Sequence, residues 1–218
     1  MASCPFSALA ERHMASCITL STIQRQKPCA RTVLFQGFAT DPETTRLALC
    51  IKTSKHSRKV QERDSDAVEI VSWNESTMVQ MRFAGDIKYV DDTTDAGWLA
   101  LTRQRVWSSL GRGGAQSQFF YAGGLARSSR GAEFAAQEAA YQAANGAIPE
   151  SFVVGVLCPS SVDFLDLSTC ERMAWKLENQ GSWAAVSGVA PPVVSIPPEG
   201  NLESTFRNNS SSRQTKEP

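Results

Sequence analysis

Two adjacent cations, Arg58 and Lys59, open a helix-like segment directly after the polar turn 53–57. The first turn of a helix presents unpaired N–H groups and the positive end of its dipole, and both attract an anion. Arginine adds a planar fork that matches two phosphate oxygens, whereas lysine adds a mobile point charge. The pair therefore indicates a phosphate-binding turn. A solvated basic turn explains the same local composition, so the rest of the chain has to decide between the two.

Other familiar catalytic or metal-binding patterns are missing from the sequence. It contains no Ser-His-Asp, HExxH or Walker-type spacing. His13 and His56 are its only histidines, and a lone histidine is more typical of a surface or capping position than of a catalytic base. The six cysteines have no CxxC spacing, which argues against a zinc or disulfide framework. We therefore predict no metal site and assign no catalytic residue.

The composition limits the class of partner. Among 218 residues, 22 Lys plus Arg balance 22 Asp plus Glu, whereas a nucleic-acid-binding protein normally has a basic excess. No apolar stretch reaches the roughly 20 residues that a membrane helix needs, and residues 1–12 lack the apolar region of a secretory signal. Cys50 and Cys158 lie in apolar runs, where a free thiol packs as a small hydrophobic side chain. Free thiols favour a reducing compartment. We expect neither a nucleic-acid nor a membrane partner, and a cytoplasmic location with organelle targeting left open.

The elements that must position the phosphate turn are mostly strands. The predicted strands are 18–23, 30–35, 46–51, 67–73, 77–83 (which 87–90 continues or pairs with), 152–157, 162–167, 172–177 and 183–189. Their short spacing favours an antiparallel barrel over a parallel βαβ sheet. The predicted helices are 57–63, 98–110 and 132–144, with an irregular Gly-rich stretch at 111–124. We divide the chain into an N-terminal extension (1–15), one barrel domain (16–190) and a disordered, Pro- and Ser-rich tail (191–218).

The strand at 77–83 has two distinct faces. A two-residue period places Val79, Met81 and Phe83 on one face, and Gln80 and Arg82 on the other. The apolar face must be the core, so Gln80 and Arg82 point away from it. Taken alone, this pattern is explained by two solvent-facing side chains.

Four blocks, in this order and spacing, resemble a known family. They are RTVLFQGF at 31–38, KTSKHSRKV at 52–60, VQMRFAG at 79–85, and the late pair VDFLDL at 162–167 with ERMAW at 171–175. The Ser-Arg-Lys of the second block is the most specific. The chain, from about residue 18 to 189, resembles the pyridoxamine 5′-phosphate oxidase family of FMN proteins, and especially its branch with a short oxidase-like FMN-binding domain.

The resemblance implies a fold, a cofactor and a set of cofactor-binding residues. The fold would be mainly β with flanking helices: an antiparallel, Greek-key type split β-barrel that forms a homodimer with FMN at the subunit interface. In that family Ser-Arg-Lys binds the flavin phosphate, and the carboxamide at Gln80 would both donate to and accept from the pyrimidine edge of the flavin. The implied cofactor-binding residues are Arg31, Thr32, Val33, Leu34, Lys52, Thr53, Ser57, Arg58, Lys59, Gln80 and Arg172.

The resemblance also implies an activity, from which the sequence departs in places. FMN would accept a hydride from C4′ of pyridoxamine or pyridoxine 5′-phosphate, and oxygen would reoxidise it to give peroxide. Where the family's oxidases have a substrate-binding lysine, this chain has the neutral Gln36, and the usually Arg-rich substrate segment reads QSQFFY at 116–121, with Ser117 as the expected contact. Two alternatives stay open: an FMN-dependent reductase or oxidase of another small molecule, and a non-catalytic FMN-binding module.

Overall fold

The described residues of this computed structural model, 4–61, 63–111, 114–120, 130–178 and 181–188, form one antiparallel sheet with a few helices. The strands are β1 Cys17–Gln24, β2 Lys27–Thr40, β3 Leu47–Ser54, β4 Ala67–Asn74, β5 Val79–Val90, β6 Phe152–Asp166, β7 Glu171–Leu177 and β8 Trp183–Ala185. The helices are α1 Ser7–His13, α2 Arg58–Gln61, α3 Trp98–Ser109, α4 Gly114–Ser117 and α5 Arg130–Ala144, with a 3₁₀ turn at Gln118–Phe120. The predicted tail, 191–218, lies outside the described residues.

Six strands close into a barrel. They follow the order β3-β2-β1-β4-β5-β6, and β3 pairs with β6 to complete the circle. Strands β7 and β8 extend the sheet from the second half of β6. The antiparallel barrel that the strand spacing predicts is therefore confirmed. No helix in the described part of the chain is long and apolar enough to cross a membrane.

Strand β6 replaces two predicted strands, 152–157 and 162–167, by one. Its first half pairs with β3 and its second half with β7, and the pairing changes at Pro159. Proline has no N–H to donate, so it is tolerated where a strand changes its partner. The β5–β6 register also shifts here, and a Cβ at Gly85 would collide with the carbonyl of Cys158. Strand β6 bends at Pro159 but stays continuous, because Gly85 opposite it has no side chain to collide with the bend. The sequence pattern alone does not show this.

The main core fills the barrel. Val79, Met81 and Phe83 are buried inside it, as the two-residue period of β5 predicts. Helix α1 packs at one end of this core through Phe6, which is fully buried; its ring centroid lies 6.1 Å from that of Phe83 and 4.8 Å from that of Trp183. The segment that we treated as an N-terminal extension therefore contributes to the central core.

A second core lies outside the barrel. Trp107 of α3 and Phe119 of the 3₁₀ turn pack on Phe152 of β6, with ring centroids 5.0 and 4.8 Å from it. Arg103 is also buried here, and its guanidinium donates to the carbonyls of Pro149 and Phe152. This packing holds the 3₁₀ turn, within the stretch predicted to be irregular, against the barrel wall.

Candidate functional site

The barrel end away from α1 is polar inside. Thr22 and Gln24 occupy inward positions near the end of β1, and Thr53 does so near the end of β3; all three are buried. The Gln24 amide donates to the backbone carbonyl of Arg58 at 3.1 Å. Because a buried amide needs a partner, this bond fixes α2 against the mouth of the barrel.

Helix α2 is shorter than the predicted 57–63 segment. Its single turn, Arg58–Gln61, aligns only a few peptide dipoles, so the helix dipole contributes little attraction for an anion. The Arg58 side chain is exposed, whereas Lys59 turns inward. Any attraction for phosphate must therefore come from side chains rather than from the helix.

Lys59 is held at the mouth of the barrel. Its Nζ donates to the hydroxyl oxygen of Thr53 at 2.8 Å and to that of Ser57 at 2.9 Å. Burial, and then the positive charge of Arg31, lower the pKa of Lys59 from its ordinary value. Arg31 in turn donates from Nη1 to the Thr22 hydroxyl at 2.8 Å. Within the described residues neither cation forms an ion pair with a carboxylate, so the cluster carries uncompensated positive charge.

A cavity of about 370 Å³ opens beside Lys59. Its size falls within the range of roughly 300–1,000 Å³ that small-molecule sites occupy. Its lining residues are Thr32, Val33, Leu34, Lys52, Thr53, Ser54, Ser57, Lys59, Gln118 and Phe119. Most of the predicted cofactor-binding residues therefore meet at one cavity, although they come from β2, β3 and the following turn.

Gln80 and Arg172 do not line this cavity. Both lie in one row across the outer face of the sheet, because each pairs with Leu165 of β6. Arg172 donates to Asp163 through Nε at 3.0 Å and Nη2 at 2.7 Å, and Arg82 bonds the same carboxylate. Although burial opposes it, hydrogen bonds from Arg172 and Arg82 hold the pKa of Asp163 below its ordinary value. A single chain does not bring these residues to Lys59.

The two expected substrate contacts also lie outside the cavity lining. Gln36 belongs to a bulge in β2 beside Gly37, whose φ is +84°, and its amide donates to the neighbouring carbonyl of Phe35. Ser117 is buried, and its hydroxyl accepts a hydrogen bond from Gln137 at 3.2 Å. Their roles in substrate binding stay predictions.

Sequence reasoning missed several residues of the site. Gln118 and Phe119 line the cavity only because α3 and the 3₁₀ turn pack against the barrel, a tertiary contact with no local signal. Thr22 and Gln24 did have a local sequence signal. They continue the inward alternation of Ile18 and Leu20, and polar residues on the core face of a strand indicate a polar interior.

A larger cavity, of about 570 Å³, lies in the helical layer. Trp107, Gln116 and Tyr141 are among its lining residues, and none of the described lining residues carries a charge. Its amides and hydroxyls already bond one another: Tyr141 donates to Gln116, which donates to the carbonyl of Trp107. The smaller cavity beside Lys59 is the better candidate because it holds the unpaired charge. No group of three His, Cys, Asp or Glu able to hold a metal occurs in the described part of the chain.

Comparisons with known proteins agree with this assignment. Residues 5–91 match the family model "Pyridoxamine 5′-phosphate oxidase, FMN-binding domain", whereas no curated protein matches the chain. A pyridoxamine 5′-phosphate oxidase-related, FMN binding protein from Nostoc punctiforme has a similar structure, with a TM-score of 0.71 at 23% identity over 85% of this chain and 99% of that one. PhzG from Burkholderia lata, in complex with tetrahydrophenazine-1-carboxylic acid, gives a TM-score of 0.61 at 17% identity over 82% and 86%.

At such identities the two structures establish the fold alone, and the family assignment rests on the match over residues 5–91. That segment contains β1 to β5 and every cavity residue except Gln118 and Phe119. Residues 5–91 are therefore similar to the FMN-binding domain of the pyridoxamine 5′-phosphate oxidase family.

Proposed function

We propose that the cavity beside Lys59 binds FMN, with the flavin phosphate at Lys59, and that the protein is an FMN-dependent oxidoreductase of a small molecule. The observation that carries the proposal is the uncompensated charge of Lys59 and Arg31 at the mouth of the barrel. Two half-desolvated cations with no carboxylate paired to them in the described part of the chain are unfavourable in the free protein. A bound phosphate would supply the missing negative charge.

The donor set fits a phosphate group. A lysine ammonium has three donors, of which Thr53 and Ser57 take two, so one stays available to an anion. The guanidinium of Arg31 has five donors and bonds Thr22 through one nitrogen. These residues would bind the phosphate in a geometry fixed by their own hydroxyl partners.

The cavity walls would position the rest of the cofactor. Val33, Leu34 and Phe119 provide apolar surface, and Lys52 provides a further cation whose pKa is lowered by burial. Bound FMN would supply the redox chemistry by taking two electrons from the substrate and passing them to an acceptor. The chain's own contribution would be binding, orientation and exclusion of water.

Two substrate classes are open within this function. Pyridoxamine or pyridoxine 5′-phosphate is the first, and the family match over residues 5–91 supports it. Another small molecule is favoured by Gln36, which is neutral and whose amide is already bonded to its own backbone neighbour. An assay of peroxide formation from pyridoxamine 5′-phosphate, with the flavin-loaded protein, distinguishes the two classes.

We also propose a homodimer that shares the flavin site. Gln80 and Arg172 lie on the outer face of the sheet, and Trp73, which pairs with Gln80, is 41% exposed there. A second copy packed on this face would bury Trp73 and bring Gln80 towards the partner's cavity. The oligomeric state of the flavin-loaded protein, measured by light scattering, tests this arrangement.

The flavin proposal is tested by titration. The purified protein should bind FMN with a change in flavin fluorescence, and denaturation of any yellow protein should release FMN. Riboflavin, which lacks the phosphate, should bind much more weakly. Equal affinity for FMN and riboflavin would contradict the phosphate role of Lys59, and no binding of either would contradict the whole proposal.

A further inference from the structure

Tyr89 of β5 carries a buried hydroxyl that the contacts above do not use. Its ring packs against the main core, and its hydroxyl oxygen is buried without a hydrogen-bond partner among the described residues. A buried polar group without a partner is costly, and natural structures contain few of them. The hydroxyl therefore needs a partner other than the described residues, and a bound ligand can supply one.

The strand register places Tyr89 close to the Lys59 cluster. Gly155 of β6 pairs with Tyr89 on one side and with Ile51 of β3 on the other. Gly155 has no side chain between them, and a Cβ there would approach the side chains of Ile51 and Ile87 to 2.9 Å. The next inward residue of β3 after Ile51 is Thr53, which accepts the hydrogen bond from Lys59. Tyr89 thus faces the same polar interior.

Two arginines, Arg63 and Arg31, and one carboxylate, Asp66, act on Tyr89. The guanidinium carbon of Arg63 lies 5.0 Å from the centroid of the ring, and this arginine is paired with Asp66. The charge of Arg31 acts on both Tyr89 and Lys59. Burial raises the pKa of Tyr89 to about 12, against the opposing effect of Arg63 and Arg31, so the hydroxyl keeps its proton and is a donor.

We infer that the Tyr89 hydroxyl is a further phosphate-binding donor, which bonds the anion held by Lys59 and Arg31. The inference rests on the proposed function, because it gives the flavin phosphate an additional partner inside the barrel. It explains why a tyrosine hydroxyl without a partner among the described residues is kept near Arg31, whose charge also acts on Lys59: all three groups are donors, and one phosphate has acceptor oxygens for them together.

The test compares Tyr89→Phe with Tyr141→Phe. Both changes remove one hydroxyl, but that of Tyr141 donates to Gln116 in the helical layer. We expect Tyr89→Phe to weaken FMN binding about tenfold or more, as for a hydrogen bond to a charged group, and to leave riboflavin binding unchanged. Tyr141→Phe should change neither. Inorganic phosphate should raise the melting temperature of the flavin-free wild type more than that of Tyr89→Phe.

Thermal melting separates a binding role from a structural one. Flavin-free Tyr89→Phe should melt at or above the wild-type temperature, because the lost hydroxyl had no partner. A variant that melts lower and loses FMN and riboflavin equally would show a structural tyrosine and overturn the inference. Unchanged FMN affinity would also overturn it and leave the FMN proposal intact. Failure of the wild type itself to prefer FMN over riboflavin would instead remove the proposed function.

Discussion

At the scale of single residues, Lys59 combines a structural cost with the phosphate-binding role that we propose. It is half-buried next to another cation, and its pKa is lowered because burial and Arg31 both disfavour the charged form. Its two hydroxyl partners, Thr53 and Ser57, are neutral and do not cancel the charge. A cation without a carboxylate partner binds an anion more strongly than a cation that is already in an ion pair.

The first prediction concerns affinity. Lys59→Ala should weaken FMN binding by about 1.5–3 kcal/mol, because a charge-assisted hydrogen bond is lost. Isothermal titration with FMN measures this loss. The affinity for riboflavin should change little.

Lys55→Ala is the matched control for that variant. Lys55 belongs to the same turn but pairs with the exposed Glu150 and does not line the cavity. Its removal should leave FMN affinity within a few tenths of a kcal/mol of wild type, since exposed ion pairs contribute little. Equal losses in the two variants would mean that general positive charge, rather than Lys59, attracts the flavin.

The second prediction concerns the stability of the flavin-free protein. Because the pKa of Lys59 is lower in the folded state than its ordinary value of 10.5, the unfolded chain binds more protons between these two pKa values. The contribution of Lys59 to stability should therefore be complete above pH 10.5 and be lost as the pH falls through its folded pKa. Chemical unfolding of wild type and Lys59→Met across this window measures the difference.

Lys59→Met removes the titrating charge but keeps an unbranched side chain. It should be as stable as wild type or more so at neutral pH without flavin, and it should lack the rise in stability with pH. A Lys59→Met protein clearly less stable than wild type would show that the ammonium stabilises the barrel, contrary to the shift in its pKa.

At the scale of elements, the kink in β6 joins the closed barrel to the β7–β8 extension. Pro159 lies where the partner of β6 changes from β3 to β7, and Gly85 of β5 admits the close approach of the two backbones. This crossing sets the direction in which β7 leaves the barrel. It therefore also sets where Arg172 and its row of outer-face residues lie.

The third prediction tests this crossing. Gly85→Ala should destabilise the protein by at least about 1–3 kcal/mol, because the added methyl group meets the backbone of Cys158 rather than a flexible side chain. Denaturant unfolding measures the loss. Gly111→Ala is the control, since a Cβ there meets nothing within 4 Å. Similar stability of the two variants would show that β5 and β6 separate easily at the kink.

The sequence predicts individual strands and helices better than it predicts which of them pair or pack together. The inward face of β5 follows from the alternation of Val79, Met81 and Phe83. Of the Ser-Arg-Lys motif, Ser57 and Lys59 line the cavity, whereas Arg58 does not. The single strand β6 could not be predicted, because its proline is tolerated only through pairing with two different strands. Phe119 lines the cavity only because the helical layer packs against the barrel, and a local sequence pattern does not predict that packing.

At the scale of the whole molecule, the predicted site residues fall into two groups. One group lines the cavity beside Lys59 or, like Arg31 and Arg58, lies near it without lining it. The other group, Gln80 and Arg172, lies on the outer face of the sheet. The family resemblance names both groups together and does not separate residues of one subunit from those of its partner. A homodimer is the arrangement that would unite them.

The fourth prediction tests that arrangement. Trp73→Glu should convert the proposed dimer to a monomer and weaken FMN binding, because it adds a charge to the outer face beside Gln80. Light scattering and FMN titration measure the two effects. Leu101→Glu is the control: Leu101 lies on α3 and is 64% exposed, so a charge there should alter neither. A monomeric wild type that binds FMN tightly would contradict the shared site.

Closure of the barrel has a consequence for how the protein is made. The segment that matches the family model, residues 5–91, contains β3 and β5 but not β6, the strand that lies between them. During synthesis these two strands would emerge with open edges, which readily pair with other chains. They must wait for β6, since pairing of Leu49 with Leu157 spans about half of the chain. The segment 5–91 is therefore not an independent folding unit, and its exposure to aggregation lasts until the last third of the polypeptide arrives.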